Sequence, residues 1–259
     1  MATFLFDKII FGPVKSRRLG VSLGINLLPT DAKLCNFDCI YCECGRNESN
    51  KPEKAFFHPR STVSYHLYSK LKSMKEENQP LDVITYAGNG EPTLHPEFEG
   101  IMEDTRKLRD QFFPNVRIAV LSNATNLHNE KVFNALQTID DNILKLDSAF
   151  IETIKLLNNP PTNFTVEKLV SNLQKFNGKL IIQTLFVKGY YGDIEIDNST
   201  EKEVLAWIEL LKIIKPQKVM IYTIDRDTPT AGLEKVPVEK LNEIANLVEK
   251  NGMKTMVSA

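Results

Sequence analysis

Six short apolar, β-branched runs alternate with segments of helical periodicity, and this alternation restricts the fold more than any other feature of the chain. The runs are Val21–Leu28, Val83–Ala87, Ile118–Ser122, Ile143–Asp147, Leu180–Val187 and Lys218–Ile224. Most are nearly continuous in apolar residues, as strands buried on both faces must be. Between them, Val63, Leu67, Leu71 and Met74 share one helical face, and Phe98, Ile101, Met102, Thr105 and Leu108 share another, in a helix that can start at Pro96. Val132, Phe133 and Leu136 mark a short helix. Val166, Leu169, Val170 and Leu173 mark one closed by Gly178, and Val204, Leu205, Ile208 and Leu211 one ended before Pro216. A last helix runs from near Pro237 to Gly252. Strands that alternate with helices pair in parallel, and right-handed crossovers curl them into a barrel or part of one. The expected fold is therefore α/β, a partial TIM-like barrel of six βα units, with chemistry at the C-terminal strand ends. Residues 1–259 read as a single domain, with 1–20 as an N-terminal lead-in and 229–259 as a C-terminal helical and strand extension.

All four cysteines fall in one window, Cys35 to Cys44, inside the loop that follows the first run. Disulfides are a poor explanation, because such separations close only tiny rings. Clustered soft thiolates suit iron–sulfur or zinc. In the Cys-x3-Cys-x2-Cys spacing of Cys35, Cys39 and Cys42, three thiolates can hold three irons of a four-iron cube and leave the last iron open to a small molecule. A closed zinc site needs a further ligand, which Cys44 or His58 can supply.

Lys plus Arg number 32 and Asp plus Glu 33, a net charge of −1. Global electrostatics therefore give no case for nucleic acid or an anionic membrane. Lys15-Ser16-Arg17-Arg18 is the only notable basic run, and it also reads as a solvated loop. No stretch approaches a membrane-spanning helix, and the start lacks a secretory pattern. A cytoplasmic location is expected, where thiols stay reduced.

The cysteine spacing, with Tyr41 just before the last cysteine and the loop placed after a first barrel strand, resembles the radical S-adenosylmethionine (SAM) superfamily. The resemblance implies a 4Fe–4S cluster on Cys35, Cys39 and Cys42, with SAM chelated to the open iron. It also implies that one electron splits SAM to methionine and a 5′-deoxyadenosyl radical, which takes a hydrogen atom from substrate. An electron donor such as flavodoxin or ferredoxin would be needed. Tyr41 would line the adenine side, or pack over the cluster.

Gly88-Asn89-Gly90-Glu91 after the second run resembles the superfamily's Gly-Gly-Glu segment, where backbone groups meet the SAM methionine. By itself it reads as a turn, and Glu91 can hold the loop rather than touch SAM. Ser122 and Asn123 end the third run and can bind the methionine carboxylate, or cap a helix. Lys145 and Asp147 share one face at the end of the fourth run and resemble the polar pair near the SAM ribose and carboxylate; an internal salt bridge is the other reading. Gln183 on the fifth run needs a partner, ligand or core. Tyr222 on the sixth can flank the adenine or pack in the core. Substrate is expected near Arg17, Arg18 and Asp225-Arg226-Asp227, where arginines can hold a phosphate or carboxylate, or form salt bridges in solvent.

Phe11 to Gly20, with Cys42-Glu43-Cys44-Gly45, resembles a branch of iron–sulfur oxidoreductases grouped with the wyosine-base-forming tRNA enzymes. That implies nucleobase or RNA modification, although no cysteine precedes Cys35 to build a second cluster. Peptide or protein modification is an alternative, as is a non-catalytic iron–sulfur or zinc module that senses redox state. Cys44 reads as a substrate-facing thiol or as incidental to the loop.

Overall fold

The computed structural model describes residues 4–47 and 56–259. Ten strands form one sheet, β1 (Ile10–Ser16), β2 (Gly20–Ile25), β3 (Val83–Tyr86), β4 (Arg117–Ser122), β5 (Asp141–Lys145), β6 (Ile181–Tyr191), β7 (Ile194–Asp197), β8 (Lys218–Thr223), β9 (Leu233–Lys235) and β10 (Thr255–Ser258). Among the described residues seven α-helices accompany them, α1 (Arg60–Glu76), α2 (Phe98–Phe112), α3 (Glu130–Gln137), α4 (Ile151–Asn158), α5 (Val166–Gln174), α6 (Glu201–Ile214) and α7 (Val238–Lys250).

Strands β2, β3, β4, β5, β6, β8 and β10 lie side by side in chain order, all parallel. At least one helix crosses between each successive pair. The six expected runs are the first six of these strands. The order does not return to its start, so the sheet curls into a half-barrel, as expected from the repeated βα units.

Period-two alternation explains the two faces. Outward residues such as Leu23, Ile25, Ile84, Tyr86, Ile118, Val120, Leu144, Ile182, Val219 and Ile221 share one large core with the apolar stripes of the helices. The inward set Val83, Ala119, Ile143, Ile181 and Met220 forms a smaller cluster across the barrel floor, plugged by Leu19. One layer higher the inward residues turn polar: Ser22 and Thr85 share a 2.7 Å hydrogen bond, and Lys145 and Gln183 stand opposite each other on adjacent strands.

Several elements lie outside the six expected runs. The lead-in carries β1, an antiparallel edge strand paired to β2, and β10 adds a parallel strand beyond β8. The far half of β6 leaves the barrel and pairs antiparallel with β7 and β9. Among the described residues no helix is long and apolar enough to cross a membrane.

Candidate active site

The loop after β2 carries the cysteines across the C-terminal mouth of the barrel. Its path is fixed by backbone hydrogen bonds at both ends. Leu34 donates to the Asn89 carbonyl at 2.8 Å, and the amides of Asp38 and Ile40 donate to the carbonyls of Asn158 and Leu157, at the end of α4. Phe37, Cys39, Ile40 and Tyr41 then pack with Leu157, Leu185 and Ile196 in an apolar cluster of their own. None of the four cysteines is in a disulfide.

Cys35, Cys39 and Cys42 all line one cavity of about 310 Å³ in the barrel mouth. Cys44 and His58 do not line it; Cys44 sits behind Cys42 as its hydrogen-bond partner. Among the described residues no group of three or more His, Cys, Asp or Glu converges on a single metal-ion position. Three thiols that face one space without meeting at a point suit a multi-iron cluster better than a lone ion, and the donor set is the soft one iron–sulfur chemistry takes. Burial pushes the thiols of Cys35 and Cys39 up; coordination to a cationic centre reverses this, because a ligating thiol gives up its proton. A hydrogen bond from Cys44 holds the Cys42 thiol down despite burial, aided by the charge of Lys33. Cys44 therefore backs Cys42 as a donor.

Lys33 is a site residue the sequence did not flag. The residue is 2 % exposed, and its ammonium donates to the Gly45 carbonyl at 2.7 Å and pairs with Asp38 at 3.3 Å. Burial pulls it down, but the charges of Cys42, Cys35, Cys39 and Asp38 outweigh that and hold it above its ordinary value. Asp38 is shared with Arg46 at 3.1 Å.

The glycine loop after β3 meets the cysteine loop directly. Gly90 has a φ of +136°, and a Cβ there would lie 1.9 Å from the Leu34 carbonyl oxygen. The Glu91 amide donates to that same oxygen at 3.1 Å. Gly90 is thus required by contact between two loops, whatever ligand also approaches it. Asn89 is turned out of the cavity: its side chain bonds the Phe6 amide and carbonyl and the Pro29 carbonyl. Glu91 is buried and accepts from the Thr93 amide and hydroxyl, the Ser122 hydroxyl and the Asn123 amide. It holds the loop. Asn123 reaches the cysteine loop, donating to Asn36 at 2.7 Å and toward the Cys35 sulfur at 3.7 Å.

At the end of β5, the Tyr41 hydroxyl donates to the Asp147 carboxylate. Lys145 donates to the Tyr41 oxygen at 2.9 Å and pairs with Asp147 at 3.3 Å. Asn158 donates to both oxygens, at 2.8 and 2.9 Å. Burial lowers the Lys145 ammonium, yet the charges of Asp147, Tyr222 and Cys39 together outweigh it and hold it well above its ordinary value. The structure brings together Tyr41, Gly88, Gly90, Glu91, Ser122, Asn123, Lys145, Gln183 and Tyr222 around the cavity, with the three cysteines. Asn89 and Asp147 lie behind its wall. For Asp147 the reason is the network just described, which consumes its carboxylate; the expected polar pair is an internal ion pair with only Lys145 facing the cavity. Arg17, Arg18, Lys33, Glu43, Asp225 and Arg226 bring charge to the same lining.

The model of the radical SAM superfamily matches residues 32–211. A UPF0026 protein of Synechocystis is 31 % identical over 226 residues, covering 85 % of this chain and 77 % of that protein. "GTPase Obg" of Brachyspira hyodysenteriae is 29 % identical over 95 % of this chain, which spans only 34 % of that relative's length. In fold, the chain resembles a radical SAM methyltransferase from Sphaerobacter thermophilus, with a TM-score of 0.67, 13 % identity and coverage of 92 % of this chain and 65 % of the other. It also resembles TYW1 with a lysine-pyruvate adduct bound, with a TM-score of 0.63, 12 % identity and coverage of 90 % and 75 %. The cysteine spacing, the half-barrel and these matches agree: the chain belongs to the radical SAM superfamily, whose enzymes use a 4Fe–4S cluster and SAM, and to the UPF0026 proteins.

Proposed function

We propose that Cys35, Cys39 and Cys42 hold the cluster in this cavity and that SAM binds beside it, to start a reaction by hydrogen abstraction from a substrate held deeper in the barrel. The observation that carries this reading is the convergence of the three cysteines, the glycine loop and Lys145 on one cavity at the C-terminal strand ends. When bound and reduced, the cluster supplies the electron that splits SAM into methionine and a 5′-deoxyadenosyl radical. Lys145 spends two donor directions on Tyr41 and Asp147, and its remaining proton can meet the SAM carboxylate. Gly88 and Gly90 offer backbone groups to the methionine end, while Tyr41 and Tyr222 flank the base. Glu91, Asp147 and Asn158 position these residues and touch no ligand. An electron donor of the flavodoxin or ferredoxin kind completes the reaction.

The sequence resemblance to the wyosine-forming branch favours a substrate that carries a nucleobase as the finer reading. The test is anaerobic reconstitution followed by dithionite reduction with SAM. About four irons per chain and formation of 5′-deoxyadenosine are expected. Stoichiometric zinc without iron uptake, or a loaded cluster that never cleaves SAM, would sink the proposal.

A further inference from the structure

Five cations line the cavity: Arg17, Arg18, Lys33, Lys145 and Arg226. Four are neutralised by carboxylates. Arg17 pairs with Asp225 at 3.3 Å, Lys33 with Asp38 at 3.3 Å, Lys145 with Asp147 at 3.3 Å and Arg226 with Glu43 at 2.8 Å. Arg18 is different. Among the described residues it makes no ion pair; its guanidinium donates to the neutral Gln183 side chain at 3.4 Å and stacks over the Tyr222 ring at 4.5 Å.

Both contacts orient the group without satisfying its charge. A half-buried guanidinium carries five N–H donors in a planar fork, and one long bond to an amide leaves most of them available. Gln183 is itself held, donating to the Ile143 carbonyl at 3.4 Å, and is 4 % exposed. The fork is therefore aimed by a fixed partner and a fixed ring.

The height of Arg18 in the barrel is equally telling. It follows Arg17 at the tip of the β1–β2 hairpin and precedes Leu19, which plugs the barrel floor. Gln183 lies one inward layer below Leu185, and Leu185 packs against the cysteine loop. A molecule sitting between SAM and the floor would thus meet Arg18 where it spans from Gln183 up to the Tyr222 ring, which is level with Leu185.

We propose that Arg18 anchors an oxyanion, a carboxylate or a phosphate, on a small substrate that occupies the barrel beneath SAM. This deepens the radical SAM reading and rests on it. The same charge pattern argues against a polynucleotide. Tracking a nucleic-acid backbone takes several unpaired cations in a row. Here Arg17 and Arg226 are already paired, and Asp227 adds an exposed carboxylate.

The experiment titrates inorganic phosphate and, separately, acetate into the reconstituted, SAM-loaded and unreduced protein by calorimetry at low ionic strength. One site is expected, with Arg18→Gln weakening it about tenfold or more, as loss of a charge-assisted bond requires. SAM affinity should fall far less than anion affinity, because Arg18 reaches SAM only through the Tyr222 ring, and Arg18→Lys should keep an intermediate anion affinity, which separates charge from folding. Stronger phosphate binding identifies a phosphate ester, and stronger acetate binding a carboxylate. The proposal is overturned if neither anion binds the unsubstituted protein, or if Arg18→Gln binds both equally well. Equal loss of SAM affinity also overturns it, because Arg18 would then serve SAM. So does a short RNA oligonucleotide that binds through Arg18 with steep salt dependence. Absence of 5′-deoxyadenosine from the reduced protein tests the radical SAM reading separately, since anion binding is read without reduction.

Discussion

The hydroxyl of Tyr41 donates to the carboxylate of Asp147, tying the cysteine loop to the segment after β5 across 106 residues of sequence. Lys145 and Asn158 close the network from either side. Asp147→Ala removes the carboxylate that balances Lys145, whose side chain is 13 % exposed. Breaking one side of a mostly buried pair costs ~3–5 kcal/mol. Tyr41→Phe removes a neutral donor and should cost less, about 1–2 kcal/mol. Guanidinium unfolding of the two variants measures the difference, and equal losses would refute this ranking.

Gly90→Ala probes the contact between the two loops. The new methyl would press on the Leu34 carbonyl and force a side chain into a left-handed backbone. Strain of ~1–3 kcal/mol is expected, which lowers the melting temperature by roughly 2–4 °C per kcal/mol in a chain of this size. Because Leu34 adjoins Cys35, iron uptake should fall together with SAM binding. Normal iron content with weakened SAM binding would mean that the glycine serves the ligand alone.

The cysteines are separable by role. Cys39→Ala should abolish cluster assembly, as each ligating thiolate is required. Cys44→Ala removes a hydrogen-bond donor behind Cys42 and should still take up about four irons after reconstitution. Iron and sulfide analysis distinguishes them, and loss of the cluster in Cys44→Ala would make that residue a ligand.

Lys33 places a buried positive charge beside the three thiolates. Lys33→Met should make the cluster harder to reduce, by on the order of tens of millivolts, because removing a cation destabilises the added electron. A redox titration followed by electron paramagnetic resonance reads the shift. An unchanged potential would leave Lys33 as a clamp on Gly45 and Asp38 only.

Much of this was legible in the sequence, for identifiable reasons. The six barrel strands are continuous apolar runs, and their inward residues change from Ile143 and Ile181 at the floor to Lys145 and Gln183 above, so strand identity and face follow from period two. The cysteine spacing is local and needs no tertiary knowledge. By contrast β1, with its Gly12-Pro13 interruption, and β10, half-exposed in all but its last residue, carry weak strand signals. Asn158 and Lys33 were invisible because their partners are distant in the chain or are backbone carbonyls. The contact of Gly90 with Leu34 was hidden for a related reason. A glycine in a loop looks the same from sequence whether it admits a ligand or another loop.

The cysteine loop is held by Asn89 before it and by Leu157 and Asn158 within it, all through main-chain hydrogen bonds independent of sulfur. The cradle is therefore moulded by the barrel before any iron arrives. Oxygen that strips the cluster would leave the mould standing, so damaged protein should be repairable by reloading without refolding. Circular dichroism before and after air exposure should superimpose while the brown colour is lost and then restored.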